Sequence, residues 1–145
     1  RCTPDRIAAY RARISGPLLD RIDLHVEVPR VTTAEISGED RGESTAVVAT
    51  RVAAARTLQH ERQACANTRL EGAPVLEFAR ADAAAMSLLG AAMQRLALSA
   101  RAYHRVLRVA RTIADLAASV TVRAEHVAEA VTLRQLDRRT GGELP

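Results

Sequence analysis

Arg101, Arg105 and Arg108 recur at helical spacing in a stretch that holds no acid between Asp82 and Asp115, and Arg111 follows closely. At about 100° per residue the three fall within one narrow sector of a helix, with Arg111 beside them. Like charges at i,i+4 repel mildly, so such a ridge calls for an anion to meet it. The guanidinium is a permanently charged planar fork that suits carboxylate or phosphate oxygens. Two readings follow from the pattern alone. One is a solvated face with Arg111 paired to Asp115 at i,i+4, which leaves the other three arginines without an acid; the second is an anion site. A further arginine, Arg21, stands between Asp20 and Asp23, where it reads locally as an ion pair at the start of a strand. Metal chemistry has little support. His25, His60, His104 and His126 lack ligand spacing, and Cys2 and Cys65 form no C-x-x-C pair.

The elements that must carry these residues are mostly helical. Thr3-Pro4-Asp5 is a helix start, with cap, first-turn proline and an acid at the positive end of the dipole, and the helix is predicted to run to about Arg13. Ser15-Gly16-Pro17 breaks it and begins a second short turn over residues 18–21. Asp23 to Val28 alternates polar and apolar and stops at Pro29, which predicts one half-buried strand whose sheet partners must come from elsewhere. Residues 30–43, with Gly38 and Gly42, read as a surface loop. Ser44 caps a long helix to about Asn67, with Val47, Val48, Val52, Ala55 and Leu58 on its apolar side. A turn at Glu71 to Pro74 and a short segment near Val75 to Phe78 follow. Asp82 opens a helix through Met86, Leu89, Met93 and Leu96. Ser99 caps the arginine helix to about Ala118, which packs through Ala102, Val106, Val109, Ala110, Ile113, Leu116 and Ala117. A last helix spans about Arg123 to Leu136, and the Gly141-Gly142 tail frays.

Composition bounds the rest. Of 145 residues, 48% are hydrophobic, with one Phe, two Tyr and no Trp, so small aliphatic side chains must fill the core. That favours closely packed helices. The net charge is +4 and every basic residue is arginine, as base composition biased toward GC would give. Two cysteines are too few for a disulfide framework, which fits a reducing cytoplasm. No apolar run is long enough to span a membrane. The Arg1-Cys2-Thr3 start lacks an initiator Met and leader character, which is expected of a piece cut from a longer chain.

Four segments carry a resemblance. Ile14-Ser15-Gly16-Pro17-Leu18-Leu19-Asp20-Arg21-Ile22-Asp23-Leu24 resembles the P-L-L-D-R-[FI]-D-L segment of AAA+ proteins of the magnesium-chelatase and MCM-helicase branch. Leu98 to Leu116, containing Ala110-Arg111-Thr112-Ile113-Ala114-Asp115-Leu116, resembles the lid signature of the magnesium-chelatase-like ComM/YifB subfamily. Val52-Ala53-Ala54-Ala55-Arg56 with Gln59 and Arg62 resembles its V-x-x-A-R-x-x-Q-x-x-R helix, and Glu129, Ala130 and Arg134 its last helix. The resemblance implies a mainly α chain: a helical AAA+ lid domain preceded by the last strand and short helices of an α/β ATPase core. Residues 1–29 would be the core remnant, 30–43 a linker, 44–137 the lid and 138–145 a flexible tail.

It also implies roles. Arg21 would be the arginine finger that reaches a neighbouring subunit's γ-phosphate in a homo-hexameric ring. Arg101 matches the sensor-2 arginine, with Arg105 one turn along as the alternative. Asp20 and Asp23 would fix local geometry. ATP and Mg2+ would be the cofactors of the full-length protein, and DNA branch migration or helicase work its use. Cys2 resembles the last of a family cysteine set whose partners do not occur here, which leaves a metal site unsupported. The chain holds no lysine, no G-x-x-x-x-G-K-[ST] and no apolar run ending in Asp-Glu. It is therefore expected to be inactive as an ATPase alone. The alternatives are a chelatase-type ATPase that remodels a protein or inserts a metal, and a helical interaction module without nucleotide chemistry.

Overall fold

The computed structural model describes residues 3–11, 13, 18, 21–26, 28–31, 33–37 and 42–134. The elements are α1 (Pro4–Arg11), α2 (Thr33–Ser37), α3 (Thr45–Gln63), a 3-10 turn (Asn67–Arg69), α4 (Ala73–Ala79), α5 (Ala83–Arg95), α6 (Ala100–Leu116) and α7 (Ala124–Thr132). Among the described residues there is no strand; one isolated parallel bridge joins Ala81 to Val122. No helix among them is long and apolar enough to cross a membrane. The tail at 138–145 and Cys2 lie outside the described residues, as does half of the turn expected at 18–21.

Side-chain caps set the helix starts. The Ser44 hydroxyl accepts from the Val47 N–H, the Asp82 carboxylate from Ala85 at 2.7 Å and the Ser99 hydroxyl from Ala102 at 3.1 Å. At α4 the start is instead Gly72, at φ 62° and ψ −134°, a conformation open essentially to glycine, with Pro74 in the first turn. The helix ends owe little to glycine: Ala64, Arg80, Ala97 and Ala118 all take positive φ. The ends are also earlier than periodicity suggested. The long helix α3 stops at Gln63 where Ala64 turns left-handed, and α7 stops at Thr132, short of Leu136.

The core is built on α6. Val106, Leu107, Ala110 and Ala114 are buried there against Leu70, Val75 and Ala79, against Ala85 and Leu89 of α5, and against Val122, Val127 and Ala130 around α7. Five of the twelve buried residues of that cluster are alanine and the others are Leu and Val, as a chain so poor in aromatics requires. The packed face of α6 is rotated from the one expected. Leu107 is buried, whereas Leu116 and Ala117 at the helix end are exposed. The apolar side of α3 is a larger departure. Ala55 is buried, but Val47, Val48, Val52 and Leu58 stay exposed. The reason is geometric: α3 meets α6 through its C-terminal part, around Gln59 and Arg62, and its N-terminal half extends beyond that contact.

Two expectations are corrected upstream. The 30–43 loop contains a one-turn helix, α2, with the Ser37 hydroxyl donating to the Thr33 carbonyl at 2.8 Å. The strand from Asp23 to Val28 does not form in the described residues. Its alternation survives as a choice of face. His25 is 8% exposed against the helices, while Leu24, Val26 and Val28 are 46%, 67% and 82% exposed. A strand needs a neighbour for its ladder, and within the described residues none is available. The segment lies against helices through its polar side and leaves its apolar side open.

Candidate functional site

The two ends of the sequence meet at Asp23. Its carboxylate accepts from Nη2 of Arg108 at 2.9 and 3.0 Å, one bond to each oxygen, and from Nη1 of Arg105. The same Arg105 nitrogen also donates to the backbone carbonyl of Arg21 at 2.7 Å. Arg108 reaches on to the carbonyl of Leu70 at 3.2 Å, which ties the 3-10 turn into the cluster. The arginine ridge therefore does have an acid, supplied from 82 and 85 residues away. Periodicity could not show a partner at that separation.

Further bonds hold the same loop. The Arg21 N–H donates to the Leu18 carbonyl at 3.0 Å, and the His25 N–H to the Leu133 carbonyl at 2.7 Å. Arg134, 1% exposed, donates through Nη1 to the Ile22 carbonyl at 3.0 Å. The stretch from Arg21 to His25 thus sits in the angle between α6 and the end of α7. The side chain of Arg21 is exposed, and so is that of Arg101, one helical turn or about 5–6 Å before Arg105 along α6. Neither makes a side-chain hydrogen bond or ion pair with any described residue. Arg105 and Arg108 are engaged and largely covered, with 18% and 14% of their side chains exposed. Two of the arginines are thus matched to one carboxylate, while Arg21 and Arg101 stay exposed.

A second polar cluster lies further along α6 and is largely internal. Asp115 receives both Nη atoms of Arg62, at 2.6 and 3.0 Å, the Nε of Arg111 at 3.1 Å and the Asn67 amide at 2.8 Å. Arg111 also donates to the carbonyls of Ala79, Ser119 and Val120, at 3.2, 2.5 and 2.9 Å. Gln59 accepts from the Asn67 N–H at 3.1 Å. Burial pulls the Arg111 guanidinium below its ordinary value; the Asp115 charge opposes this, and the Arg62 charge adds to it. The i,i+4 pair read from the sequence is present, but as a buried joint holding four segments together. Gln59 and Arg62, singled out in the sequence only through resemblance, have their reason here. Among the described residues no group of His, Cys, Asp and Glu could hold a metal ion.

These positions can now be set beside known proteins. The profile of the magnesium chelatase subunit ChlI C-terminal domain matches residues 42–134, and that of magnesium chelatase subunit ChlI itself matches residues 1–36. The chain belongs to the magnesium chelatase ChlI family. Its helical part, from α3 to α7, corresponds to the family's C-terminal domain, an AAA+ lid, and the Asp23 segment to the family's upstream portion. Within the family the chain is of the ComM/YifB kind. It is 40% identical over 139 residues to the uncharacterized protein YifB of Salmonella typhimurium and equally to that of Escherichia coli. It is 38% identical over 139 residues to the competence protein ComM of Haemophilus influenzae. Each alignment covers 95% of this chain, but the chain spans only 27–28% of the length of these relatives.

Proposed function

We propose that this chain contributes the arginine finger and the sensor-2 arginine to the ATP site of a hexameric AAA+ ring that works on DNA. The observation that carries the reading is the Asp23 joint. It brings the Arg21 loop onto α6, the helix that also carries Arg101, and both arginine side chains are exposed. Phosphoryl transfer spreads negative charge over the equatorial oxygens of the γ-phosphate, and cations placed around it stabilise that charge. Two uncompensated arginines fit this need. The grip on the remaining phosphates and on Mg2+ falls to an upstream core, because this chain has no lysine and no phosphate-cradling loop.

Arg21 acts in trans, on the nucleotide of the adjacent subunit. Arg101, carried by the same body, reaches the same interface. Arg105 is engaged with Asp23, so its part is structural support of that pair. The competence name of one relative supports DNA as the substrate. The magnesium chelatase description of the family supports the second reading, an ATPase that remodels a protein or a metal-insertion complex. Stimulation of ATP turnover by DNA in the full-length protein separates the two.

The finger assignment is tested by Arg21→Ala in the full-length ring. Nucleotide binding is expected to persist while turnover falls roughly a thousandfold or more, the scale of other arginine fingers. Mixing these subunits with subunits that lack the phosphate-loop lysine should restore part of the activity, because some interfaces then pair an intact loop with an intact finger. No restoration in rings shown to be mixed would return Arg21 to a local structural role.

A further inference from the structure

Arg21 is a loop residue, yet its backbone is held on every side. Its N–H is taken by Leu18 and its carbonyl by Arg105. The next carbonyl, of Ile22, is taken by Arg134, and Asp23 is held by Arg105 and Arg108 together. Only the Arg21 side chain is left without a partner among the described residues. Two arginines gathered on one carboxylate that is 35% exposed do little for the core. What they fix is the distance between the Arg21 loop and the helix that carries Arg101.

We propose that Asp23 is the positioning residue of the arginine finger: clamped by Arg105 and Arg108, it locks the Arg21 loop to α6, so that Arg21 and Arg101 are presented to one terminal phosphate as a single rigid pair. This rests on the finger reading of Arg21 and adds a residue that touches no nucleotide. Its physical basis is preorganisation. A cation that stabilises a transition state must be in place before charge develops, and a misplacement of about 1 Å costs on the order of a hundredfold. Without the Asp23 carboxylate the loop keeps the Arg134 and Leu133 contacts and the single Arg105 bond to the Arg21 carbonyl, but loses the ionic clamp that fixes it on α6. The ridge arginines then repel one another and the loop beneath them. A second consequence is mechanical: any tilt of α6 is transmitted to Arg21, and the finger moves with the lid.

The test is a double-mutant cycle in the full-length protein, with ring assembly followed by size and binding by a fluorescent ATP analogue. Asp23→Ala is expected to lower kcat by roughly 10- to 100-fold, with the KM for ATP within about twofold of wild type. In the Arg21→Ala background the same change should lower kcat no further, because there is no finger left to misplace. Asp23→Asn, which keeps the shape and loses the charge, should give an intermediate loss and serves as the cycle's partner if the alanine variant does not assemble. Losses that multiply in the double variant would overturn the positioning role while leaving the finger intact. So would a wild-type kcat for Asp23→Ala, or a loss that appears mainly in KM. Wild-type turnover by Arg21→Ala alone would remove the proposed function and the positioning role together, an outcome distinct from the others because Arg21 itself would then be silent.

Discussion

Removing the Asp115 carboxylate should be the most damaging polar substitution in the helical domain. In Asp115→Ala two guanidinium groups lose their counter-charge and Asn67 loses an acceptor. The Asp115 side chain is 0% exposed and that of Arg111 is 1% exposed, so water cannot replace the lost acceptors at Arg111. Breaking a buried pair by deleting one partner costs about 3–5 kcal/mol. Two features of the site pull toward the lower end. Arg111 keeps three carbonyl acceptors, and Arg62, 10% exposed, can turn toward solvent. An expected loss of about 3 kcal/mol corresponds to a fall in Tm of roughly 12–24 °C for a domain of this size. Arg111→Met should cost less, about 1–3 kcal/mol, because Asp115 then keeps the Arg62 fork and Asn67, and the freed carbonyls of Ser119 and Val120 lie near water. Thermal and urea unfolding followed by far-ultraviolet circular dichroism measures both variants. A loss below about 1 kcal/mol for Asp115→Ala, or a larger loss for Arg111→Met than for Asp115→Ala, would refute the reasoning, which places the energy of the joint in the uncompensated cations.

Smaller effects are expected elsewhere. Asp82→Ala removes the cap of α5 at Ala85 and should cost about 1 kcal/mol in urea unfolding, while Asp82→Ser should recover most of it. The Arg51 hydrogen bond, and then its charge, hold the Glu43 carboxyl below the usual range. Because the folded value is depressed, the contribution is present above the unfolded value and is lost as pH falls through the folded one. An NMR titration of Arg51→Ala should show the Glu43 carboxyl moving up, and on this exposed pair the unfolding midpoint should hardly change.

The helical domain was legible because its signals are local. Ser44, Asp82 and Ser99 announce the starts of α3, α5 and α6 within four residues of the amides they cap. Arg111 and Asp115 could be paired by spacing alone, but their burial could not, since it depends on Arg62, Asn67 and three carbonyls from other segments. The strand misled for the opposite reason. Its alternation records two unlike faces but not the edge partners a ladder needs, and among the described residues the segment meets helices instead. The candidate site was half legible. Four arginines could be singled out by type and phase, whereas the acid that Arg105 and Arg108 meet, Asp23, is a fact of tertiary structure. Arg134 stood out only through resemblance; nothing in its own neighbourhood announces that it would be buried against Ile22.

The bond from Arg134 to Ile22 spans 112 residues, and that span has a consequence in time. A ribosome adds roughly 5–20 residues per second, so the loop bearing Arg21 emerges roughly 5–20 s before the residue that anchors it. The helices from α3 to α6 are built on near-neighbour contacts and can form on much shorter timescales once they are made. The Arg21 loop can meet Arg105 and Arg108 once α6 is made, but it takes up its full set of bonds only when the end of α7 is complete. Through that interval Leu24, Val26 and Val28, already exposed in the finished structure, belong to a segment that lacks its Leu133 and Arg134 contacts. The end of α7 completes the seat of the loop, so a ribosome that stalls just before Arg134 would release a lid whose Arg21 loop is held by α6 alone.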